Sequence, residues 1–311
     1  MADKLYDVII IGSGPAGLSA AIYARRAELN TLIIEKGLSG GQIFQTASVE
    51  NYPGGIKGES GADLSMRMDA QAKSFEPESV TANVTSVDFT GDVKKVITAD
   101  KTYESKTIIL ATGSNPVKLG APGEEEYAGR GVSYCATCDG PFFRGMDVYV
   151  VGGGDSAIEE SLHLSKIARS VTIIHRRDAL RAAKSIETKA RNAGNINFLL
   201  DTVIEEIKGG DLLESIIVKN VKTGNITEIK ANPEDGTMGL FVFVGMRPIT
   251  EFLGDAIELD NGYIPTDEEM HTNVPGVFAA GDVRKKMLRQ VVTAAADGAI
   301  AAVSAENYIE E

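Results

Sequence analysis

A chain of 311 residues with 43% apolar side chains and 33 glycines is long enough for two ordinary domains and fits packed α/β structure with many tight turns. Its formal charge of −13 argues against nucleic acid as a partner, because phosphate backbones are bound by basic surfaces. The longest apolar runs, such as Val8 to Ile11 and Ile108 to Ala111, are strand length and far short of a bilayer span, and the N-terminus, with Asp3 and Asp7, offers no basic n-region or small-residue cleavage site. No membrane association is expected, and the expected location is the cytoplasm.

Tyr6 to Ile11 reads as a hydrophobic strand, Gly12-Ser13-Gly14-Pro15-Ala16-Gly17 as G-x-G-x-x-G, Leu18 to Ala27 as an alanine-rich helix, and Thr31 to Ile34 as a second strand ended by Glu35. In that pattern the first glycine makes the turn, the second lets a pyrophosphate approach the backbone, and the third allows close helix-to-strand packing. The helix N-terminus faces the anion, and Glu35 accepts hydrogen bonds from a ribose hydroxyl. Further along lies Cys135-Ala136-Thr137-Cys138-Asp139, which holds the only two cysteines of the chain. A Cys-x-x-Cys pair takes up two electrons by closing and opening a disulfide ring. Zinc is the alternative, but it needs two more ligands, and His163, His175 and His271 are scattered without paired spacing.

A shift of about 140 residues repeats the first unit. Gly12, Gly14, Gly17 and Glu35 map onto Gly152, Gly154, Ala157 and His175, with Asp147 to Val151 as strand and Ser156 to Ile167 as helix, Asp155 and Ser156 sitting at the turn. The strand ends differ. His175, Arg176, Arg177 and Arg181 stand where Glu35 stands in the first unit, and such a basic cluster on an acidic chain suits a 2′-phosphate. A solvated helix start is the bland reading of the same charges. The second site is therefore expected to take NADPH, and the first a dinucleotide with a free ribose, such as FAD.

Several further stretches make the chain strongly resemble the low-molecular-weight thioredoxin reductases nearly end to end. They are Gly40-Gly41-Gln42, Glu50-Asn51-Tyr52-Pro53-Gly54, Ala111-Thr112-Gly113, Gly131 to Gly140, Thr272 to Asp282 and Arg289-Gln290-Val291. The resemblance implies an α/β fold of two Rossmann-like domains, the NADPH domain inserted into a discontinuous FAD domain. The expected boundaries are 1–116 with 246–311 for FAD and 117–245 for NADPH and the cysteines, with connections at Asn115-Pro116 and Gly245-Met246-Arg247-Pro248.

The resemblance also implies the site residues. FAD is expected at Gly12 to Gly17, Glu35, Lys36, Gly41, Gln42, Asn51, Ala111, Thr112, Gly113, Gly281, Asp282, Arg289, Gln290 and Val291. Asp282 is placed near the ribityl chain, and Arg289 to Val291 beside the isoalloxazine, where they open an alanine-rich helix; a turn with a capping aspartate is the other reading of Gly281-Asp282. Electrons are expected to pass from NADPH through FAD to the Cys135–Cys138 disulfide and on to thioredoxin, the domains rotating between half-reactions. Cys138 is then the flavin-proximal sulfur, Cys135 the attacking one, and Asp139 the proton carrier; helix capping is the alternative role for Asp139. Phe142 and Phe143 resemble docking aromatics but suit a core equally, and Pro141 and Met246-Arg247-Pro248 depart from the family pattern. A homodimer is implied as well. Two rivals are a flavin oxidase for small dithiols and a non-catalytic redox sensor; the arginine cluster speaks against the first and the cysteine pair against the second. Glu124 to Glu126 and Asp201 to Glu234 read as surface or strand-rich filler.

Overall fold

The computed structural model describes residues 4–45, 49 and 51–311, so Asp3 and Glu50 of the sequence reading lie outside the described residues. The chain forms two compact units, one of Met1–Asn115 with Arg247–Glu311, the other of Pro116–Met246. It passes between them through two short strands, β7 (Ser114–Pro116) and β16 (Met246–Pro248).

The first unit is built on β1 (Leu5–Ile11), α1 (Pro15–Arg26), β2 (Thr31–Glu35), α2 (Gly61–Lys73), β3 (Glu78–Thr81), β4 (Val84–Asp88), β5 (Lys94–Thr98), β6 (Thr102–Leu110), β17 (Val277–Ala279) and α6 (Val291–Glu310). Its sheet runs β3-β2-β1-β6-β5-β4, parallel as far as β6 and antiparallel beyond. β6 is shared along its length: its first half pairs with β5, while Ile108 to Leu110 pair with Val277 to Ala279 of β17. The returning segment thus supplies a strand to the sheet begun by the N-terminus. The central parallel strands β1 and β2 and the second half of β6 are buried on both faces, which is why they read as continuous apolar runs.

α1 starts at Pro15, whose fixed φ suits a first helical position, after the extended Gly14. It packs on α6 through small side chains, Ala16, Ala20 and Ala24 against Ala294, Ala301 and Ala305. A Cβ on Gly298 would stand 2.0 Å from the Ala16 carbonyl oxygen. α6 begins later than expected: Gln290 is its N-cap, exchanging hydrogen bonds with Thr293, and Arg289 precedes the helix.

The second unit contains β8 (Val132–Ser133), α3 (Ala136–Asp139), β9 (Asp147–Val151), α4 (Asp155–Leu164), β10 (Ser170–Ile174), α5 (Lys184–Asn192), β11 (Ile196–Leu199), β12 (Thr202–Gly209), β13 (Leu213–Asn220), β14 (Ile226–Lys230) and β15 (Gly239–Val242). A parallel sheet in the order β11-β10-β9-β15-β8 carries the repeated βαβ unit. The segment expected to be filler is a three-stranded antiparallel sheet, β12-β13-β14, and it buries Ile207, Leu213, Ile216 and Val218 against Tyr127, Val132 and Leu240. One face of it covers the parallel sheet's core, and the other is exposed.

Gly298→Ala should destabilise the protein by about 1–3 kcal/mol, since α1 and α6 must part to admit one methyl group. Thermal unfolding of the variant checks this, and an unchanged midpoint would show that the crossing tolerates the atom.

Candidate active site

In the first unit, the glycine-rich turn leaves the end of β1 and crosses the end of β6. Gly12 has φ +106°, and a Cβ there would meet the Ala111 carbonyl oxygen at 2.4 Å; a Cβ on Gly17 would meet the Gly12 oxygen at 1.9 Å. Backbone packs directly on backbone, and no side-chain hydrogen bond caps the start of α1, which leaves its first amides for an anion. Glu35, at the end of β2, accepts the N–H and the hydroxyl of Ser13 at 2.8 and 2.9 Å and the N–H of Gly37 at 3.1 Å. Gly40 donates its N–H to the Ser13 carbonyl, and Gly41 comes against Gly14, where its Cβ position lies 3.1 Å from the Gly14 Cα.

Beside this turn lies a cavity of about 90 Å³ lined by Gly12, Glu35, Lys36, Asn83, Thr112 and Phe252, among others. Asn83 and Phe252 went unnoticed in the sequence because neither belongs to a recognisable spacing; they reach the cavity through the strand end after β3 and a returning turn. Thr112 donates to the Ile249 carbonyl at 2.7 Å, and Gly113 turns the chain with φ +70°. Further along the same unit, Gln42 donates to Asn115 at 2.7 Å and Asn51 to Gln290 at 3.0 Å.

Asp282 and Arg289 carry the clearest sign of a polar ligand. Oδ1 of Asp282 and Nε of Arg289 are shielded from solvent without a hydrogen-bonding partner among the described residues. Burial pushes the Asp282 carboxyl up, against the pull of Lys286 and Arg289. The Arg289 guanidinium stands 4.2 Å over the Tyr263 ring. Behind them, Gly281 donates its N–H to Asp297, whose buried carboxylate also holds Arg284 at 2.9 Å and Lys286 at 2.7 Å. Nothing in the sequence linked Asp297 to the Gly281-Asp282 turn, because the connection is made across the first two turns of α6. A cofactor with ribityl hydroxyls and a pyrophosphate fits this set: unsatisfied polar atoms at one end, and a glycine-rich backbone cradle at the other.

In the second unit, Gly152 repeats the first turn, with a Cβ position 2.5 Å from the Phe243 oxygen and 2.6 Å from the Ala157 Cβ. Arg181 and Ala182 donate their N–H groups to the Gly153 carbonyl at 2.7 and 3.1 Å, and Asp155 accepts the N–H of Ala183 at 2.7 Å. The basic segment is thereby strapped to the turn, close to exposed Ser156 at the start of α4. The four expected phosphate contacts do not stand alike, however. Arg176, Arg177 and Arg181 are exposed, whereas His175 is buried beneath the turn, its ring 2.4 Å from where a Gly153 Cβ would be. Burial, followed by the fields of Arg181 and Arg177, pushes the His175 imidazole down, which disfavours its charged form beside the arginines. Its position at a strand end, next to three exposed arginines, concealed an inward-pointing ring.

Cys135 and Cys138 are joined in a disulfide. The pair opens the short helix α3, and the Cys138 N–H donates to Cys135 Sγ at 3.2 Å. The Asp139 side chain makes no capping hydrogen bond: Oδ2 accepts the Ser133 hydroxyl at 2.6 Å, while Oδ1 is buried without a partner among the described residues, and burial pushes the carboxyl up. Gly140 lets the ring sit against α4, since a Cβ there would come within 2.9 Å of Leu164. Of the two aromatics after Pro141, Phe142 is exposed, and Phe143 is in the core, edge-on to Phe241 at 5.5 Å. Glu124, expected at the surface, is buried and accepts the N–H groups of Leu119 and Gly120 and the hydroxyl of Tyr134.

Residues 6–298 match the model of the pyridine nucleotide-disulphide oxidoreductases. A thioredoxin reductase of Peptoclostridium litorale is 54% identical over 310 residues, covering 99% of this chain and 98% of its own. The crystal structure of thioredoxin reductase from Streptococcus pyogenes superposes with a TM-score of 0.93 at 46% identity, covering 99% of both chains. That of Lactococcus lactis, described in the FR conformation, matches at 49% identity over 98% of this chain and 99% of its own, with a TM-score of 0.66. The chain belongs to the thioredoxin reductases of the pyridine nucleotide-disulphide oxidoreductase family. As in that family, it pairs two Rossmann-type units with a redox-active disulfide, and the cofactors are FAD and NADPH.

Gly12→Ala should yield protein that retains less than about a tenth of the wild-type flavin, because the methyl group collides with the Ala111 carbonyl in a left-handed backbone. The ratio of flavin to protein absorbance after purification checks this, and full retention would dissociate the turn from flavin binding.

Proposed function

We propose that the chain reduces thioredoxin with electrons from NADPH, FAD being held by the first unit and NADPH by the second. The observation that carries this reading is the Cys135–Cys138 disulfide in the unit that also bears the Gly152 turn and the exposed arginines. Bound FAD supplies a carrier that accepts a hydride from NADPH and delivers two electrons to a disulfide.

The chain's own residues do the rest. Gly12 to Gly17 and Gly41 cradle the FAD pyrophosphate, Glu35 takes the ribose, and Ala111 to Gly113, Gln42 and Asn51 border the cofactor. Asp282 and Arg289, whose shielded polar atoms lack partners, bind its polar middle and the ring edge with Gln290 and Val291. Gly152, Gly154 and Ala157 admit the NADPH pyrophosphate, and Arg176, Arg177 and Arg181 hold its 2′-phosphate. The reduced Cys135 thiolate, stabilised by the Cys138 N–H, attacks the thioredoxin disulfide and forms a mixed disulfide. Cys138 then attacks Cys135, which restores the ring and releases reduced thioredoxin. Asp139 carries the proton, because a carboxyl raised by burial keeps its proton to higher pH than an ordinary one.

Exposed Phe142 is the docking aromatic, with Phe143 serving the core. Both nicotinamide and cysteines must reach one flavin, and a rotation of the inserted unit about 114–116 and 246–248 provides this. Support comes from the family: relatives of nearly equal identity give TM-scores of 0.93 and 0.66, a spread that sequence divergence does not explain and a change of domain arrangement does. The active protein is a homodimer of the cytoplasm; no helix among the described residues is long and apolar enough to cross a membrane.

Anaerobic NADPH oxidation with thioredoxin as acceptor tests the reading. Turnover should vanish in Cys138→Ser, and its persistence there would remove the disulfide from the pathway. Arg176→Ala and Arg177→Ala should each raise KM for NADPH by about tenfold and leave KM for NADH unchanged, as expected for one charge-assisted contact. Equal losses with both nucleotides would contradict the phosphate assignment.

A further inference from the structure

Ser133 lies in the two-residue strand β8 and is 4% exposed. Its hydroxyl accepts the Cys135 N–H at 3.1 Å, lies 3.3 Å from the Cys135 carbonyl oxygen, and donates to Oδ2 of Asp139 at 2.6 Å. A hydroxyl has one proton and two lone pairs, so it donates to the carboxylate or to the carbonyl, not to both. Among the described residues no other side chain bonds to Asp139.

We propose that Ser133 is a positioning residue for the disulfide chemistry, its hydroxyl turning with the charge on Asp139. Facing a carboxylate, it donates to Oδ2. Facing the protonated carboxyl, it accepts from it and donates instead to the Cys135 carbonyl, so that neither state leaves that proton without an acceptor. This rests on the reading of Asp139 as the proton carrier. When the ring is reduced, the S–S bond breaks and the two electrons drawn from NADPH pass to the sulfurs. One sulfur remains a thiolate, and the other takes the Asp139 proton. The carboxylate left behind is met by the Ser133 O–H. Closing the ring on thioredoxin reverses each step, and the proton returns.

Among the described residues the surroundings leave this role to Ser133. α3 packs against α4, which carries the ionisable Asp155, Glu159, Glu160 and His163, and Arg144 follows the turn after Asp139; none of them bonds to the carboxyl. β15, paired to β8, brings Leu240 and Phe241. Burial raises the Asp139 carboxyl, and the Ser133 hydrogen bond is the opposing influence. Its removal must therefore raise the carboxyl further and extend the proton-donating form to higher pH.

The test is the pH profile of thioredoxin reduction by the flavin-loaded enzyme in Ser133→Ala, Ser133→Thr and Asp139→Asn, at saturating NADPH. Ferricyanide reduction, which bypasses the cysteines, reports that each variant is folded and loaded; Ser133→Gly serves as a second variant lacking the hydroxyl. The alkaline limb should move up by about one pH unit in Ser133→Ala and Ser133→Gly, return to its original place in Ser133→Thr, and vanish in Asp139→Asn. A limb that stays in place in Ser133→Ala, with the rate lowered equally at all pH values, would make Ser133 merely structural while leaving Asp139 its role. A limb that persists in Asp139→Asn would overturn the reading of Asp139 and this proposal with it.

Discussion

Both halves of the protein depend on backbone packed against backbone with no space for a Cβ. At Gly12 the first turn crosses the Ala111 carbonyl, and at Gly152 the second crosses that of Phe243, with 2.4 and 2.5 Å left for an atom that needs well over 3 Å. These crossings bring a helix N-terminus to the end of a parallel sheet, where amides can meet a pyrophosphate. The same economy recurs where α6 crosses α1 at Gly298 and where Gly281 meets Ala16. Through those contacts α6 and the Gly281-Asp282 turn both lie against Ala16, at the start of α1. Cofactor site and core are therefore one packing problem.

Charge separates what packing repeats. Glu35 occupies its strand end as an acceptor and organises Ser13, whereas three exposed arginines follow the equivalent strand end of the second unit. The first unit instead buries its charges in a closed cluster, Arg284 and Lys286 on Asp297, which leaves the Asp282 carboxyl partly unsatisfied beside it. Truncating Asp297 would strand two cations away from water, so this cluster is expected to be intolerant of change in a way that the exposed arginines are not.

The glycine turns, the strand-end acid, the basic segment and the cysteine pair were legible in the sequence because each combines a residue type with a spacing that a backbone geometry demands. Inward-facing polar groups were not. His175 sits among arginines in sequence yet turns under Gly153, and Glu124, in an acidic run, is buried as an acceptor for two backbone amides and Tyr134. Ser133 and Asp297 act through partners six and sixteen residues away, and no local pattern marks them. The strand-rich character of 201–234 was legible, but the burial of Ile207, Leu213 and Ile216 was not, because the alternation is diluted by a charged outer face. Arg289 was placed in the helix because composition reveals the alanine run of α6, but not that Gln290 caps it.

One chain joins two redox centres, a flavin and the Cys135–Cys138 disulfide, into a single path. Anaerobic reductive titration of the purified flavoprotein tests that most directly. The protein should take up about four electrons per flavin before reduction is complete, falling to about two when both cysteines are replaced by serine, since each centre takes two. Uptake of only two electrons by the unaltered protein would show that the disulfide does not exchange electrons with the flavin, and would contradict the single path.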